Sequence, residues 1–184
     1  MAVLVETGRP ADMATRLQKE QACYDLLDKL CLPYLRADHT PRDTIDQCAE
    51  VEQALGASIC KNLFLCNRQQ NAFYLLLLAG ERPFRTKDLS KQIGSARLSF
   101  AGAEPMQALL DLTPGSVSVM GLMNDRENRV QLLIGRSVQE KEEFCCHPCI
   151  NTSTLKLKTA DLLEVFLPAV NHTPIYVDLP EDAV

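Results

Sequence analysis

The chain has 184 residues, a net charge of −5 and 46% hydrophobic residues, which fits one folded domain that buries roughly 70% of its unfolded surface. Its longest apolar run, residues 72–79, is far shorter than the ~20 residues of a membrane helix. The amino terminus carries Glu6, Arg9 and Asp12 in place of an apolar signal segment, so we expect a soluble, cytoplasmic protein.

The first half of the chain predicts two helices and a hairpin. Pro10 opens a helix that ends before Pro33, with apolar residues at helical spacing: Met13, Leu17, Tyr24, Leu27 and Cys31. Thr44 and Gln47 form a capping-box pattern before a second helix that Gly56 ends. The segments 60–66 and 73–78 flank a polar connection and predict an antiparallel hairpin.

The second half mixes short helices and strands. Thr86 caps a helix closed by Gly94, a strand follows at 97–100, Pro105 starts another helix, and Thr159 caps a last one. Further strands are predicted at 130–134, 144–146, 152–157 and 175–177. Strands and helices do not alternate strictly, so the pattern favours an α+β fold over a doubly wound sheet.

Lys61 interrupts an apolar strand pattern. Side chains alternate along a strand, so Lys61 shares a face with Ile59, Leu63 and Leu65. One interpretation is a lysine at a strand end, with its stem packed and its ammonium in water. The other is a cation directed into a pocket.

Eight cysteines are irregularly spaced and predict reduced, mostly buried thiols rather than disulfides. The dense cluster at 145–149 is a poor zinc site, because adjacent strand residues such as Cys145 and Cys146 point to opposite faces. We expect no metal and no cofactor.

A basic stripe is predicted between residues 82 and 97. This segment contains Asp88 and five positive residues, so its local charge is +4. The positive residues are Arg82, Arg85, Lys87, Lys91 and Arg97. The stripe suits phosphate binding. An ordinary solvated helix face with basic residues is the alternative.

Three segments in order resemble the YbaK/prolyl-tRNA-synthetase-associated editing domain family, nearest to its freestanding branch that deacylates alanyl-tRNA(Pro). They are Lys61-Asn62-Leu63-Phe64-Leu65, the loop from Thr113-Pro114-Gly115 to Gly121, and His147-Pro148 with Asn151-Thr152. The likeness continues through 97–101 and 171–175 and covers about residues 34–179. It implies a curved, mostly antiparallel, barrel-like mixed sheet surrounded by helices, with residues 1–33 as a helical extension and 34–184 as the editing domain.

The resemblance implies hydrolysis of a mischarged aminoacyl ester in trans. Lys61 and His147 are the expected catalytic residues, Lys61 acting electrostatically and His147 orienting water or the ribose. Substrate contacts are expected from these residues: Asn62, Gly115, Ser116, Val117, Ser118, Val119, Gly121, Asn151 and Thr152. Arg82, Arg85, Lys87 and Arg97 are expected to bind tRNA. For the loop and for His147, a plain turn and a structural histidine remain alternatives.

The expected partners are the acceptor end of tRNA(Pro) and, transiently, prolyl-tRNA synthetase, with no membrane and no DNA. The family's loop has proline at the position of Val119, and losing proline frees a backbone donor and a fixed φ angle. This departure leaves the amino acid open. Cysteinyl- or seryl-tRNA, or non-catalytic recognition of aminoacyl-tRNA or an amino acid on the same fold, are the alternatives to alanyl-tRNA(Pro).

Overall fold

The computed structural model describes residues 3–41, 48–80 and 84–179. Its strands are β1 Val5–Thr7, β2 Leu35–Asp38, β3 Cys60–Asn67, β4 Phe73–Ala79, β5 Leu98–Phe100, β6 Val130–Gly135, β7 Glu143–Cys146, β8 Ser153–Lys158 and β9 Ile175–Val177. Its α-helices are α1 Gln18–Lys29, α2 Ala49–Leu55, α3 Thr86–Gln92, α4 Ala103–Leu110, α5 Arg136–Gln139, α6 Thr159–Asp161 and α7 Leu167–Ala169. Short 3₁₀ helices span Met13–Thr15 and Val119–Asn124, and a π turn, Leu162–Phe166, joins α6 to α7.

The strands form two sheets, ordered β1-β2-β8-β7 and β5-β3-β4-β6-β9. Pairing in the first is antiparallel throughout, whereas in the second β4-β6 and β6-β9 are parallel. A single bridge between Ile59 and Cys145 connects the two sheets. The predicted α+β class with mostly antiparallel pairing is confirmed, and the curved sheet is divided into two.

The alternation of side chains along β3 separates two apolar layers. Phe64 and Cys66 belong to the main core, which also receives residues from α1, α4 and the first sheet. Leu63 and Leu65 belong to a smaller cluster on the opposite face, with Leu89 of α3. Each face of the larger sheet is therefore covered, and β3 carries residues to both.

The hairpin predicted around residues 60–78 is confirmed, with continuous pairing from Cys60–Ala79 to Cys66–Phe73. Gly56 ends α2 in the left-handed conformation, with φ 67°. The capping box predicted at Thr44 and Gln47 lies outside the described residues.

Four predicted helix starts were wrong. The helix predicted to start at Pro105 is α4, which begins at Ala103. Leu17 is extended, with ψ 144°, so α1 begins at Gln18 instead of Pro10. Thr86 and Thr159 are the first residues of α3 and α6, and the extended residues before them, Arg85 and Lys158, take the N-cap positions. A residue with helical backbone angles cannot serve as the N-cap, because that position needs extended geometry.

Seven of the eight cysteines are buried and Cys31 is exposed, and none forms a disulfide within the described ranges. In the same ranges no three His, Cys, Asp or Glu side chains are grouped as metal ligands. No helix in the described part of the chain is long and apolar enough to cross a membrane.

Candidate functional site

The loop before the 3₁₀ helix opens with a tight turn at Thr113–Ser116. The Ser116 N–H donates to the Thr113 carbonyl at 3.0 Å, and Gly115 has φ +86°. Proline at the second position and a glycine with positive φ at the third define a type II turn. The Ser116 hydroxyl donates to the same carbonyl at 2.9 Å, so its polar group is used inside the turn.

Ser118 and Val119 fasten this loop to two other elements. The buried Ser118 hydroxyl donates to the His147 carbonyl at 2.5 Å and accepts from the Met120 N–H at 3.2 Å. The Val119 N–H donates to Oδ1 of Asn62 at 3.0 Å. Two hydrogen bonds therefore bring Asn62, the loop and His147 together.

The backbone N–H groups of Val117 and Ser118 differ from that of Val119 in their hydrogen bonding. Within the described ranges, the N–H groups of Val117 and Ser118 donate to no protein group, although Ser118 is fully buried and Val117 half-buried. Buried backbone donors are nearly always paired. These two amides are therefore available to an oxygen atom of a bound molecule.

Asn62 is oriented at both ends of its carboxamide. Its Oδ1 accepts from Val119, and its Nδ2 donates to the Cys60 carbonyl at 2.9 Å. The pairing of β3 with β4 is uninterrupted here, so no bulge turns this side chain. A proline at position 119 would lack the donor that fixes the Oδ1.

His147 follows β7, and its ring is held in one tautomer. Nδ1 lies 2.9 Å from the Ser153 carbonyl, which can only accept, so Nδ1 carries the hydrogen and Nε2 the lone pair. Burial lowers the pKa of His147, outweighing the opposing effect of the Ser153 carbonyl. The ring is thus neutral near pH 7, with Nε2 able to accept a proton.

The first 33 residues supply support for this histidine. The Tyr24 hydroxyl of α1 lies 3.4 Å from Ser153 Oγ and donates to Glu20 at 3.3 Å. Burial raises the pKa of Tyr24 and of Glu20, and Arg16 pairs with Glu20 at 3.1 Å. Sequence reasoning missed this connection, because residues 24 and 153 are 129 positions apart. The division into an extension at 1–33, packed on a domain at 34–184, stays a prediction.

His39, the residue after β2, is a second imidazole near this site. Its ring centroid lies 6.3 Å from that of His147, and its Nε2 is 2.8 Å from Thr154 Oγ1. Its N–H donates to the Thr152 carbonyl at 2.9 Å. Thr152 and Asn151 are half-buried in the turn that joins β7 to β8, next to these two imidazoles.

Lys61 is half-buried near the start of β3, opposite Leu78 of β4. It lies on the face with Leu63 and Leu65, as the sequence predicted, and Asn62 lies on the other face. It is not in bulk solvent. Lys61 therefore adjoins Asn62 along the strand but faces the opposite side of the sheet, and its catalytic role stays a prediction.

Packing alone accounts for Gly121. A Cβ added there would lie 2.6 Å from Leu112 Cδ1 and 3.2 Å from the Leu110 carbonyl oxygen. Val119 and Ser116 are also buried, at 0% and 3% exposure. Contacts of the loop with a ligand would therefore come from Gly115, Val117 and backbone amides.

The predicted basic residues lie around α3 and β5. Arg85, Lys87 and Arg97 are exposed, and Lys87 and Arg97 line one groove of about 420 Å³ together with Thr86 and Ser90. Arg82 lies outside the described residues. The structure thus brings two of the predicted cations to one surface.

Comparison with known proteins finds a matching family profile and relatives whose descriptions agree with one another. The profile described as the aminoacyl-tRNA editing domain matches residues 39–165. The prolyl-tRNA editing protein ProX of Acetoanaerobium sticklandii is 30% identical over 149 residues, 81% of this chain and 91% of ProX. The prolyl-tRNA synthetase associated domain-containing protein 1 of Danio rerio is 27% identical over 172 residues, 92% of this chain and 91% of its own length.

A solved structure described as a candidate trans-editing enzyme for prolyl-tRNA synthetase superposes with a TM-score of 0.67. The match covers 91% of this chain and 100% of that one at 17% identity, which demonstrates a common fold.

Proposed function

Because this chain belongs to the aminoacyl-tRNA editing domain family, we propose that it is a trans-acting deacylase of mischarged tRNA(Pro), with alanyl-tRNA(Pro) as its substrate. One observation carries the proposal. The unpartnered amides of Val117 and Ser118 lie in a loop that is hydrogen-bonded to both Asn62 and the neutral His147. Ester hydrolysis requires this combination of oriented donors and a proton acceptor.

In the proposed reaction, water attacks the ester carbonyl carbon and gives a proton to Nε2 of His147. Negative charge develops on the carbonyl oxygen, which the amides of Val117 and Ser118 stabilise. The carbon–oxygen bond to the ribose then breaks, and the ribose oxygen takes the proton back from His147. An oxyanion donor of this kind contributes on the order of 100- to 1000-fold in rate.

In this proposal Lys61 binds the phosphate of the terminal adenosine, and Asn62, on the other face of β3, contacts the aminoacyl end. Lys61 is half-buried, so its ammonium acts in a medium of lower dielectric constant than water and attracts phosphate more strongly. Asn62 directs one remaining Nδ2 hydrogen outward, since its other polar positions bond Val119 and Cys60.

Alanine is the proposed amino acid because a synthetase discriminates only weakly against an amino acid smaller than its own substrate. Missing methylene groups contribute only ~1–3 kcal/mol of selectivity to a synthetase pocket built for proline. A second pocket that admits a methyl group and excludes the proline ring corrects the resulting errors. Correctly charged prolyl-tRNA(Pro) survives.

The test is deacylation of alanyl-, cysteinyl-, seryl- and prolyl-tRNA(Pro) by the wild-type chain and by Lys61→Ala, with Lys158→Ala as the matched control. Lys158 is exposed at the end of β8. We expect turnover of alanyl-tRNA(Pro) alone, lost in Lys61→Ala and kept in Lys158→Ala. Preferred turnover of the cysteinyl or seryl ester would contradict the alanine assignment, and no turnover of any ester would refute hydrolysis and indicate a binding protein.

A further inference from the structure

Phe100 is an apolar side chain on the surface, three residues after Arg97, one of the residues that line the basic groove. It ends the edge strand β5 and is 63% exposed. Phe84 contacts it edge to face, with ring centroids 6.1 Å apart at 70°. Since Phe84 also packs against the apolar cluster under α3, it fixes Phe100 while most of that ring stays open.

The charged residues that line the groove are both positive. Lys87 and Arg97 line the adjacent groove, and neither makes a salt bridge within the described ranges. Arg85 and Lys91 are exposed at the two ends of α3, against Asp88 as the acidic residue of that helix. An exposed aromatic ring beside a positive groove is the arrangement by which proteins bind single-stranded nucleic acid.

We propose that Phe100 is a stacking platform for an unpaired base at the 3′ end of the tRNA, with Lys87 and Arg97 binding the adjoining phosphates. This inference rests on the proposed function. The groove volume of about 420 Å³ is in the range of small-ligand sites. A base fits beside the ring, because any base offers an aromatic face for stacking.

The position of Phe100 relative to Lys61 indicates which base it holds. Phe100 pairs with Leu65 and therefore lies on the same sheet face as Lys61, four residues along β3. At ~3.3 Å per residue and ~4.8 Å between strands, the two Cα atoms are about 14 Å apart. Four stacked nucleotides have three intervals of ~3.4 Å and span about 10 Å, and the extended side chain of Lys61 covers the rest of the Cα–Cα distance.

The unpaired 3′ end of a tRNA consists of the discriminator nucleotide followed by C, C and A. With the terminal adenosine at Lys61, the discriminator base reaches Phe100. The platform thus reads the junction between the acceptor stem and its single-stranded end.

The experiment measures binding of an acceptor-stem minihelix of tRNA(Pro), labelled with fluorescein at its 5′ end, by fluorescence anisotropy. We expect Phe100→Ala to weaken binding about tenfold and Phe100→Tyr, which keeps the ring, to bind within about twofold of wild type. The matched control is Ile175→Ala, since Ile175 is 46% exposed on the edge strand at the other side of the same sheet. It should bind as wild type does.

Salt dependence separates stacking from charge. Phe100→Ala should keep the wild-type slope of log K against log salt, whereas Lys87→Ala and Arg97→Ala should each reduce it by about 0.7, the value for one phosphate of a single strand. A 2-aminopurine in the discriminator position should lose fluorescence on binding to wild type and not to Phe100→Ala. Equal affinities of wild type and Phe100→Ala for the minihelix would overturn the platform. If Phe100→Ala also changed the sedimentation coefficient of the free protein at unchanged affinity, the ring would be assigned to self-association.

Hydrolysis of the alanyl minihelix distinguishes this inference from the proposed function. If wild type hydrolyses it and Phe100→Ala has an unchanged KM, the platform fails and the deacylase stands. If Phe100→Ala raises KM about tenfold at unchanged kcat, both stand. Phe100-dependent binding without hydrolysis would support the platform and refute the deacylase.

Discussion

Val119→Pro tests whether the hydrogen bond from the Val119 N–H orients Asn62. Proline removes that donor and leaves Oδ1 of Asn62, now 3.0 Å from it, without a partner on a half-buried side chain. Loss of a hydrogen bond costs about 1 kcal/mol, and an unsatisfied buried acceptor ~1–3 kcal/mol. Because water can partly replace the donor, we expect the free energy of unfolding to fall by about 1–2 kcal/mol. Val119 is the first residue of its 3₁₀ helix, a position at which the fixed φ of proline is tolerated, so the variant should fold.

A double-mutant cycle with Asn62→Ala isolates the bond. In the Asn62→Ala background the acceptor is already gone, so Val119→Pro should cost about 1 kcal/mol less than in wild type. The matched control is Val119→Ala, which keeps the N–H and truncates a side chain of 0% exposure. It should lose roughly 2 kcal/mol through lost burial and the cavity left behind, with no coupling to Asn62.

Urea unfolding supplies the measurement, with the m-value checked for each variant. Additivity of Val119→Pro and Asn62→Ala to within ~0.3–0.5 kcal/mol would refute the coupling. A coupling as large for Val119→Ala as for Val119→Pro would assign the effect to side-chain packing instead of the amide.

Three further outcomes are expected. Burial lowers the folded pKa of His147 below its ordinary value of 6.5, so at acidic pH the unfolded chain binds a proton that the folded chain does not. The free energy of unfolding should therefore fall as the pH drops below about 6.5, and His147→Gln should flatten this pH dependence in urea unfolding at a series of pH values. An equally steep pH dependence in the variant would contradict this. Gly121→Ala should lose about 1–3 kcal/mol by overpacking, while Gly102→Ala, whose added Cβ meets its nearest atom at 3.9 Å, should melt like wild type; equal melting temperatures for the two would refute the packing role. Tyr24→Phe should cost about 1 kcal/mol and shift the pH profile of deacylation through Ser153, whereas an unmoved profile would show that Tyr24 supports the fold alone.

Local patterns in the sequence identified much of the fold. The hairpin around Lys61 follows from alternation and polar turn residues, and both faces of β3 were assigned correctly. Pro114 and Gly115 predict their turn because each residue restricts or permits the φ angle that the turn needs. The helix starts failed where an extended residue, such as Leu17, precedes the helix without a polar capping side chain.

The connections of the candidate site were not predictable in the same way. The bond between Asn62 and Val119 spans 57 positions, and that between Ser118 and His147 spans 29. Neither pairing leaves a periodic pattern in the chain. Phe100 shows the same limit, since it lies outside the 82–97 stripe in the sequence and the fold brings its ring against that of Phe84.

The acceptor that holds His147 is a main-chain oxygen, and this has an evolutionary consequence. Any amino acid at position 153 retains that oxygen, so random substitution there leaves the imidazole proton where it is. Drift can therefore replace the serine by another residue small enough for this fully buried position, at the loss of the contact between its hydroxyl and Tyr24. A genetic screen for inactive mutants should recover backbone-distorting changes such as proline in this strand more often than small side-chain exchanges at position 153.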